Sequence, residues 1–211
     1  MVTAQFLECL PPTASAYQLT KRVKSPESLA RKLQDWEDAE KHFHVDDLLR
    51  YTVLTETPDD LVAAARHTVD ELGSHGWRVA YAMQSYTEGS RYKGLHAYVV
   101  PPGLARAELQ FHSVASAKVK ELTTPWYEIE RSATAAPDER EAARLRCIDL
   151  SATLRPPKGI GELQSLGGMR VAVKNYSDSR DPARQREGLP PSSTQRAAHL
   201  TVLDKNDGIA R

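Results

Sequence analysis

A basic segment near the N-terminus has the residue types and the spacing of a polyphosphate-binding site. It runs from Arg22 and Lys24 into Ser25-Pro26, where a serine followed by proline predicts the first turn of a helix. Ser28 and Lys32 then share one face of that helix, one turn apart. Free N–H groups, the helix dipole and three nearby cations favour a bound polyphosphate, although a solvated basic helix start has the same pattern.

Two carboxylates lie on predicted strands and could hold a divalent cation. Asp47 is near the start of a strand predicted within residues 45–54, and Glu108 lies inside a strand predicted over 107–112. Two acids on one sheet face are the usual means of holding Mg²⁺ against substrate phosphates. An ordinary edge-strand charge is the alternative for each, and Asp46 competes with Asp47 from the opposite face.

A third group of residues could bind a nucleoside. Tyr92 and His96 flank Gly94, which keeps the backbone open between them. An aromatic ring offers a base a stacking face, and a histidine offers a hydrogen bond to a sugar or phosphate. A packed core tyrosine is the alternative reading of Tyr92.

The elements that would position these residues alternate between helices and strands. Residues 1–16 have no clear period and predict an irregular or helical lead-in. Beyond the segments already named, the patterns predict helices over 57–72, 113–122 and 138–150, and strands over 77–83 and 167–173. Residues 92–100 predict a loop that enters a further strand. This order predicts an α+β fold in which helices flank a mixed β-sheet.

Composition limits the class of protein. The chain has 211 residues, 40% of them hydrophobic, and equal numbers of basic and acidic residues, which argues against a protein that coats nucleic acid. Cys9 and Cys147 have no paired spacing, so we expect neither a disulfide framework nor a structural zinc site. No apolar run reaches the length of a membrane span and no signal peptide is apparent, so we expect a cytoplasmic protein without a membrane partner.

Four motifs, in this order and spacing, resemble the synthetase domain of the RelA/SpoT alarmone family. They are Arg22-x-Lys24-x-x-x-Ser28-x-x-x-Lys32, Val45-Asp46-Asp47-Leu48, Tyr92-Lys93-Gly94-Leu95-His96 and Glu108-Leu109-Gln110. The resemblance covers roughly residues 19–131. It implies a nucleotidyltransferase-like fold and an enzyme that moves pyrophosphate from ATP to a ribose 3′-hydroxyl. By default the acceptor would be GDP or GTP, giving a (p)ppGpp-type alarmone.

The resemblance also implies a role for each motif residue. Asp47 would be the principal Mg²⁺ ligand, and Glu108 would assist the metal and act as general base. Tyr92 would stack on the acceptor base. ATP would be bound by Arg22, Lys24, Ser28 and Lys32, and the acceptor would be surrounded by Lys93, His96 and Gln110.

Departures from the family pattern concern the acceptor more than ATP. The family usually follows its acidic-Gln strand with Ile-Arg-Thr, whereas this chain has Phe111-His112-Ser113. A synthetase without a hydrolase domain resembles the small alarmone synthetases and their toxin relatives. The alternative acceptors are therefore adenosine nucleotides or the tRNA 3′ end, with an antitoxin as partner, and a non-catalytic nucleotide-binding module is the other alternative.

These patterns predict four regions. Residues 1–18 form the lead-in, 19–132 the synthetase-like core and 133–176 a helical and strand extension. Residues 177–211 are rich in Ser, Pro, Arg and Asp and predict a disordered tail.

Overall fold

The computed structural model describes residues 2–37, 48–132 and 134–177, which belong to one compact unit. The α-helices are α1 Val2–Glu8, α2 Pro26–Glu37, α3 Leu61–Ser74, α4 Val114–Glu130 and α5 Pro137–Ala152. The strands are β1 Ala14–Tyr17, β2 Leu49–Thr55, β3 Arg78–Gln84, β4 Leu95–Val100, β5 Ala107–Ser113, β6 Ser165–Leu166 and β7 Met169–Val173. Short 3₁₀ turns cover Leu19–Lys21 and Pro58–Asp60.

The strands form one seven-stranded sheet in the order β1-β2-β5-β4-β3-β7-β6. The β2–β5 and β3–β7 pairs are parallel, and the other pairs are antiparallel. The predicted α+β class, with a mixed sheet flanked by helices, is confirmed. Parallel neighbours need a long crossover, which is why β2 and β5 meet although β3 and β4 lie between them in sequence.

The hydrophobic core lies on one face of the sheet. Inward-facing residues of β2, β3 and β5, such as Tyr51 and Leu109, pack against α3. Helix α1 adds Phe6, whose ring stacks on Tyr51 with centroids 4.4 Å apart. Cys9 and Cys147 are both buried free thiols.

The structure extends or corrects several predicted elements. The lead-in contains helix α1 but also β1, which the sequence missed because four residues, three of them small, carry little pattern of their own. The helix predicted over 113–122 continues through Pro125 to Glu130, so α4 is longer than the sequence predicts. The predicted start of the β2 strand, including Asp47, lies outside the described residues, as does the tail from residue 178.

Among the described residues, no helix combines the length and the apolar character needed to cross a bilayer.

Candidate active site

The second face of the sheet is polar where β2, β4 and β5 run side by side. Strand β5 is buried along its whole length, yet its residues alternate between apolar side chains in the core and Glu108, Gln110 and His112 on the opposite face. The pairing aligns Arg50 of β2 with Glu108, and His96 of β4 with Gln110. Residues that are far apart in the chain thus meet on one surface.

Glu108 is the centre of this surface. Its Oε2 accepts a hydrogen bond from Arg50 Nε at 2.6 Å. Its Oε1 accepts one from His96 Nδ1 at 2.8 Å and one from Gln110 Nε2 at 3.0 Å. The carboxylate is buried, and charge-assisted bonds of this kind hold it in one orientation.

The contacts of Glu108 also set its protonation state. Burial by itself would raise the pKa of Glu108, but the hydrogen bond from His96 and the proximity of His96 and Arg50 outweigh it and hold that pKa well below its usual value. Glu108 is therefore a carboxylate at neutral pH. Such an acid is a good charge partner for a metal or a cation but a weak proton acceptor until one of these contacts loosens.

A chain of hydrogen bonds continues from His96 to the start of α4. The Tyr92 hydroxyl lies 2.7 Å from His96 Nε2 and 3.1 Å from His112 Nε2. His112 Nδ1 lies 3.0 Å from Ser116 Oγ, which also accepts a hydrogen bond from the Ser113 amide in the capping box of α4. Burial holds the pKa of His112 well below its usual value, so this imidazole is neutral and donates through one nitrogen while it accepts through the other.

The ring of Tyr92, the predicted base platform, is half-buried. It packs edge-on against His96 and Tyr176, with centroid distances of 5.4 Å and 6.2 Å. Gly94 leaves space for it, because a Cβ at that position would lie 2.5 Å from the Tyr92 hydroxyl oxygen. Tyr176, from the segment after β7, was not identified from the sequence, and no motif there indicates it.

Two further polar residues of the site were also missed. Arg50 belongs to β2, and only the register of β2 against β5 reveals its pairing with Glu108. Lys120 of α4 donates to Gln110 Oε1 at 2.6 Å. Lys120 follows Ser116 by one helical turn, a spacing that could have placed both on one face, but polar residues in a helix usually indicate solvent.

The predicted ATP-binding loop lies against the first residues of β2. Lys24 N donates to Leu48 O at 2.9 Å, and Arg50 N donates to Arg22 O at 2.7 Å. This pairing brings the basic loop to the end of the sheet that carries the Arg50–Glu108 ion pair. Backbone hydrogen bonds therefore bring the basic loop next to the strand whose Arg50 is paired with Glu108.

The start of α2 agrees with the predicted cap. Ser25 Oγ accepts a hydrogen bond from the Ser28 amide at 3.3 Å, and its hydroxyl donates to Ser28 Oγ at 3.2 Å. Lys32 belongs to the same helix, but its side chain lies outside the described residues, as does all of Asp47.

Of the two predicted metal ligands, Glu108 lies among the described residues. Within residues 2–37, 48–132 and 134–177, no cluster of three or more His, Cys, Asp or Glu side chains could hold a metal ion. From the residues that the structure describes, the Oε1 atom of Glu108 accepts two hydrogen bonds, whereas Oε2 accepts one and has a lone pair left for a further ligand. Glu108 thus fits a metal as a single-oxygen ligand, and the other predicted ligand, Asp47, immediately precedes described residue Leu48.

A narrow gap lies between the Tyr92 loop and helices α4 and α5, and it leaves no room for a water molecule. Burial lowers the pKa of Lys93, and burial together with the charge of Arg50 lowers that of Lys120 to about 8. The gap is lined by Tyr92, Lys93, Ser116, Val119, Lys120, Thr123, Ser151 and Leu154.

Comparisons with known proteins show likeness at the level of structure. No family model matches the sequence, and no curated protein matches it significantly. The small alarmone synthetase 1 of Bacillus subtilis bound to its product pppGpp is similar with a TM-score of 0.47 and 16% identity, over 66% of this chain and 70% of that one. A GTP pyrophosphokinase family protein from Streptococcus pneumoniae is similar with a TM-score of 0.46 and 15% identity, over 74% and 76% of the two chains.

A third solved structure is the Type VI effector Tas1 in complex with its immunity protein. It is similar with a TM-score of 0.41 and 17% identity, over 67% of this chain and 83% of that one.

Proposed function

We propose that this protein is an ATP-dependent pyrophosphokinase. It transfers pyrophosphate from ATP to the 3′-hydroxyl of GDP or GTP and releases AMP, making a (p)ppGpp-type alarmone. The observation that supports the proposal is the backbone pairing of the basic loop with β2, because this loop carries the cations proposed to bind ATP and β2 carries Arg50, which bonds Glu108. Positioning and charge neutralisation are what phosphoryl-type transfer chiefly needs.

The donor half of the reaction belongs to the loop and helix α2. Arg22 and Lys24 would neutralise the ATP phosphates, and Ser28 would add a hydroxyl at the helix N-terminus, where amides and the dipole favour anions. Lys32 completes the proposed set from the same helix. These residues hold ATP near the start of β2, whereas the proposed acceptor residues belong to β4, β5 and the loop before β4.

The proposed cofactor is Mg²⁺, held by Asp47 and by the Oε2 atom of Glu108. When bound, it would neutralise the charge that develops on the transferred phosphates. The low pKa of Glu108 supports this role more strongly than that of general base. Proton removal from the acceptor hydroxyl would require Glu108 to exchange its bond with Arg50 for one with that hydroxyl.

The acceptor half comprises Tyr92, Lys93, His96 and Gln110. The side chains of His96 and Gln110 both donate hydrogen bonds to Glu108 Oε1. An acceptor nucleotide that contacts His96 and Gln110 would therefore lie beside the carboxylate of Glu108. Tyr92 would stack on the base, its ring anchored through its hydroxyl. An enzyme that consumes ATP and GDP acts where these nucleotides are abundant, so we place it in the cytoplasm.

One feature favours a different acceptor. His112 occupies the position at which the resembled family usually has arginine, and it touches the hydroxyl of the proposed base platform. A neutral imidazole there replaces a permanent charge. Adenosine nucleotides and the tRNA 3′ end are therefore included as second candidates.

The test is a transfer assay with γ-labelled ATP and Mg²⁺, offered GDP, GTP, ADP, ATP and bulk tRNA separately. A labelled guanosine tetra- or pentaphosphate is the expected product, and the Glu108→Gln variant is the matched control. Label on adenosine nucleotides or tRNA would reassign the acceptor. If no acceptor receives the label while ATP still binds, the proposed enzymatic activity is rejected and the protein is a non-catalytic nucleotide-binding module.

A further inference from the structure

Helix α4 presents a lysine to the polar face of the sheet at the level of Gln110. Lys120 Nζ donates to Gln110 Oε1 at 2.6 Å, and Gln110 in turn donates to Glu108 Oε1 at 3.0 Å. An ammonium is a donor and an ionised carboxylate is an acceptor, so together they fix which way the Gln110 amide points. Lys120 is thus linked to Glu108, the proposed catalytic carboxylate, through the side chain of Gln110.

The same lysine borders the acceptor side of the site. Lys93 and Lys120 line one gap together with the ring of Tyr92, and none of the described residues that line it carries a carboxylate. The hydrogen bond of Lys120 goes to an amide, while Glu108 is occupied by Arg50. The charges of Glu108 and Glu121 reach Lys120 and that of Glu88 reaches Lys93, but none of these acids lines the gap. Two partly desolvated ammonium groups that line one gap favour an anionic ligand there.

Position along β5 separates this cation from those of the donor loop. The basic loop pairs with β2 at Leu49, which is aligned with Ala107 of β5, whereas Lys120 contacts Gln110. Three residues of strand correspond to about 10 Å. Phosphates of ATP and an anion near Lys120 would therefore lie on either side of Glu108.

From these contacts we infer that Lys120 binds the 5′-phosphates of the acceptor nucleotide, together with Lys93, which lines the same gap. The inference rests on the proposed function for the identity of the ligand as an acceptor. Binding requires α4 and the Tyr92 loop to separate, because the gap has no room for a water molecule. The pKa of Lys120, about 8, leaves the side chain mostly protonated at pH 7 and able to attract a phosphate.

Calorimetric titration with guanosine, GMP and GDP, and with adenosine, AMP and ADP, tests the inference without turnover. In the wild type we expect affinity to rise with each 5′-phosphate. In Lys120→Gln, which keeps a donor for Gln110 but loses the charge, the gain from nucleoside to diphosphate should fall about tenfold. The affinity of this variant for the nucleoside should change less than about twofold, because a nucleoside carries no phosphate that Lys120 could contact.

Two variants control the experiment. Lys120→Arg should keep most of the phosphate-dependent gain, and Lys118→Gln, an exposed lysine on the same helix, should behave as wild type. Equal losses for nucleoside and diphosphate in Lys120→Gln would overturn the inference and make Lys120 a support for Gln110. A wild type that binds diphosphates no better than nucleosides would overturn it as well.

The failure of the proposed function is distinguishable from these results. If the phosphate-dependent gain requires Lys120 but no pyrophosphate transfer occurs with any acceptor, the binding site stands and the enzymatic activity is rejected.

Discussion

The two faces of the central sheet are built from alternate residues of the same strands, yet they differ in the chemical character of their side chains and in the interactions that hold them. Beneath α3, Leu109 and Phe111 of β5 are buried among other apolar side chains. One residue along the strand in each case, Glu108 and Gln110 are just as buried but are held by hydrogen bonds to charged partners. Burial therefore does not distinguish core from site here.

The difference between the faces is one of specificity. Apolar packing stabilises the fold in proportion to the area buried and tolerates exchange of similar shapes. Each buried polar group instead requires a partner at a defined position, since an unmatched group costs about 1–3 kcal/mol. We expect changes on the apolar face to alter the free energy of unfolding, and changes on the polar face to alter activity.

The largest effect should come from Glu108→Gln on the polar face. The amide keeps the shape but loses the charge that pairs with Arg50 and would contact the metal, so we expect the transfer rate to fall by about 100-fold or more. Arg50 is 40% exposed, so its charge remains solvated and the fold should persist. The labelled-ATP assay with circular dichroism measures both, and retention of a tenth of the activity would contradict the proposed role.

On the apolar face, Leu109→Ala should produce the complementary result. Leu109 is fully buried, and its truncation leaves a cavity that should lower the free energy of unfolding by about 3 kcal/mol. Urea denaturation measures this loss. The transfer rate per folded molecule, assayed at low temperature, should stay within about twofold of wild type, because only packing energy is removed. A large drop in that rate would mean that the two faces are coupled.

A methyl group at Gly94 should affect the acceptor alone. In Gly94→Ala the new Cβ would lie 2.5 Å from the Tyr92 hydroxyl and 2.9 Å from His96 Nε2, so the tyrosine must move. We expect the KM for the acceptor to rise about tenfold while the KM for ATP stays constant. The reason is that a misplaced Tyr92 weakens the binding of the acceptor, which it contacts, and not the binding of ATP. Gly161→Ala, at a glycine with open space around it, is the matched control. Equal increases in both constants would place Tyr92 outside the acceptor site.

The smallest effect should follow from Ser25→Ala at the start of α2. Loss of the cap that receives the Ser28 amide should cost about 1 kcal/mol of stability and raise the KM for ATP a few-fold. Ser25→Asn retains a capping side chain and should restore both values. If Ser25→Ala changes the KM for the acceptor instead, the donor and acceptor halves have been assigned to the wrong sides.

Much of the fold could be predicted because its signals are local. The buried stripe of α3, the alternation along β5 and the cap at Ser25 each depend on residues within one or two turns or a few strand positions. Strand β1 was missed because its four residues are too few to show a hydrophobic pattern. Its extended conformation depends on the pairing with β2. Helix α4 was predicted too short because Pro125 suggests an ending that the tertiary contacts with α5 override.

The candidate site divides in the same way. Glu108, His96, Tyr92 and Gln110 were named from residue type and motif, and the structure brings them into one hydrogen-bonded group. Their roles in catalysis and binding stay predictions. Arg50, Lys120 and Tyr176 contact members of this group through β2, α4 and the segment after β7, and no local pattern marks them.

The amino-acid sequence by itself determined that Glu108 and Gln110 could do chemistry and that they share one face of a strand, because both follow from residue type and a period of two. Only the tertiary structure decided their partners. Arg50 and Glu108 are 58 residues apart, and their bond exists because a crossover lays β2 parallel to β5 in one register. Such pairing depends on burying the apolar face as a whole, since a shift of one residue would turn Glu108 into the core and Leu109 out of it.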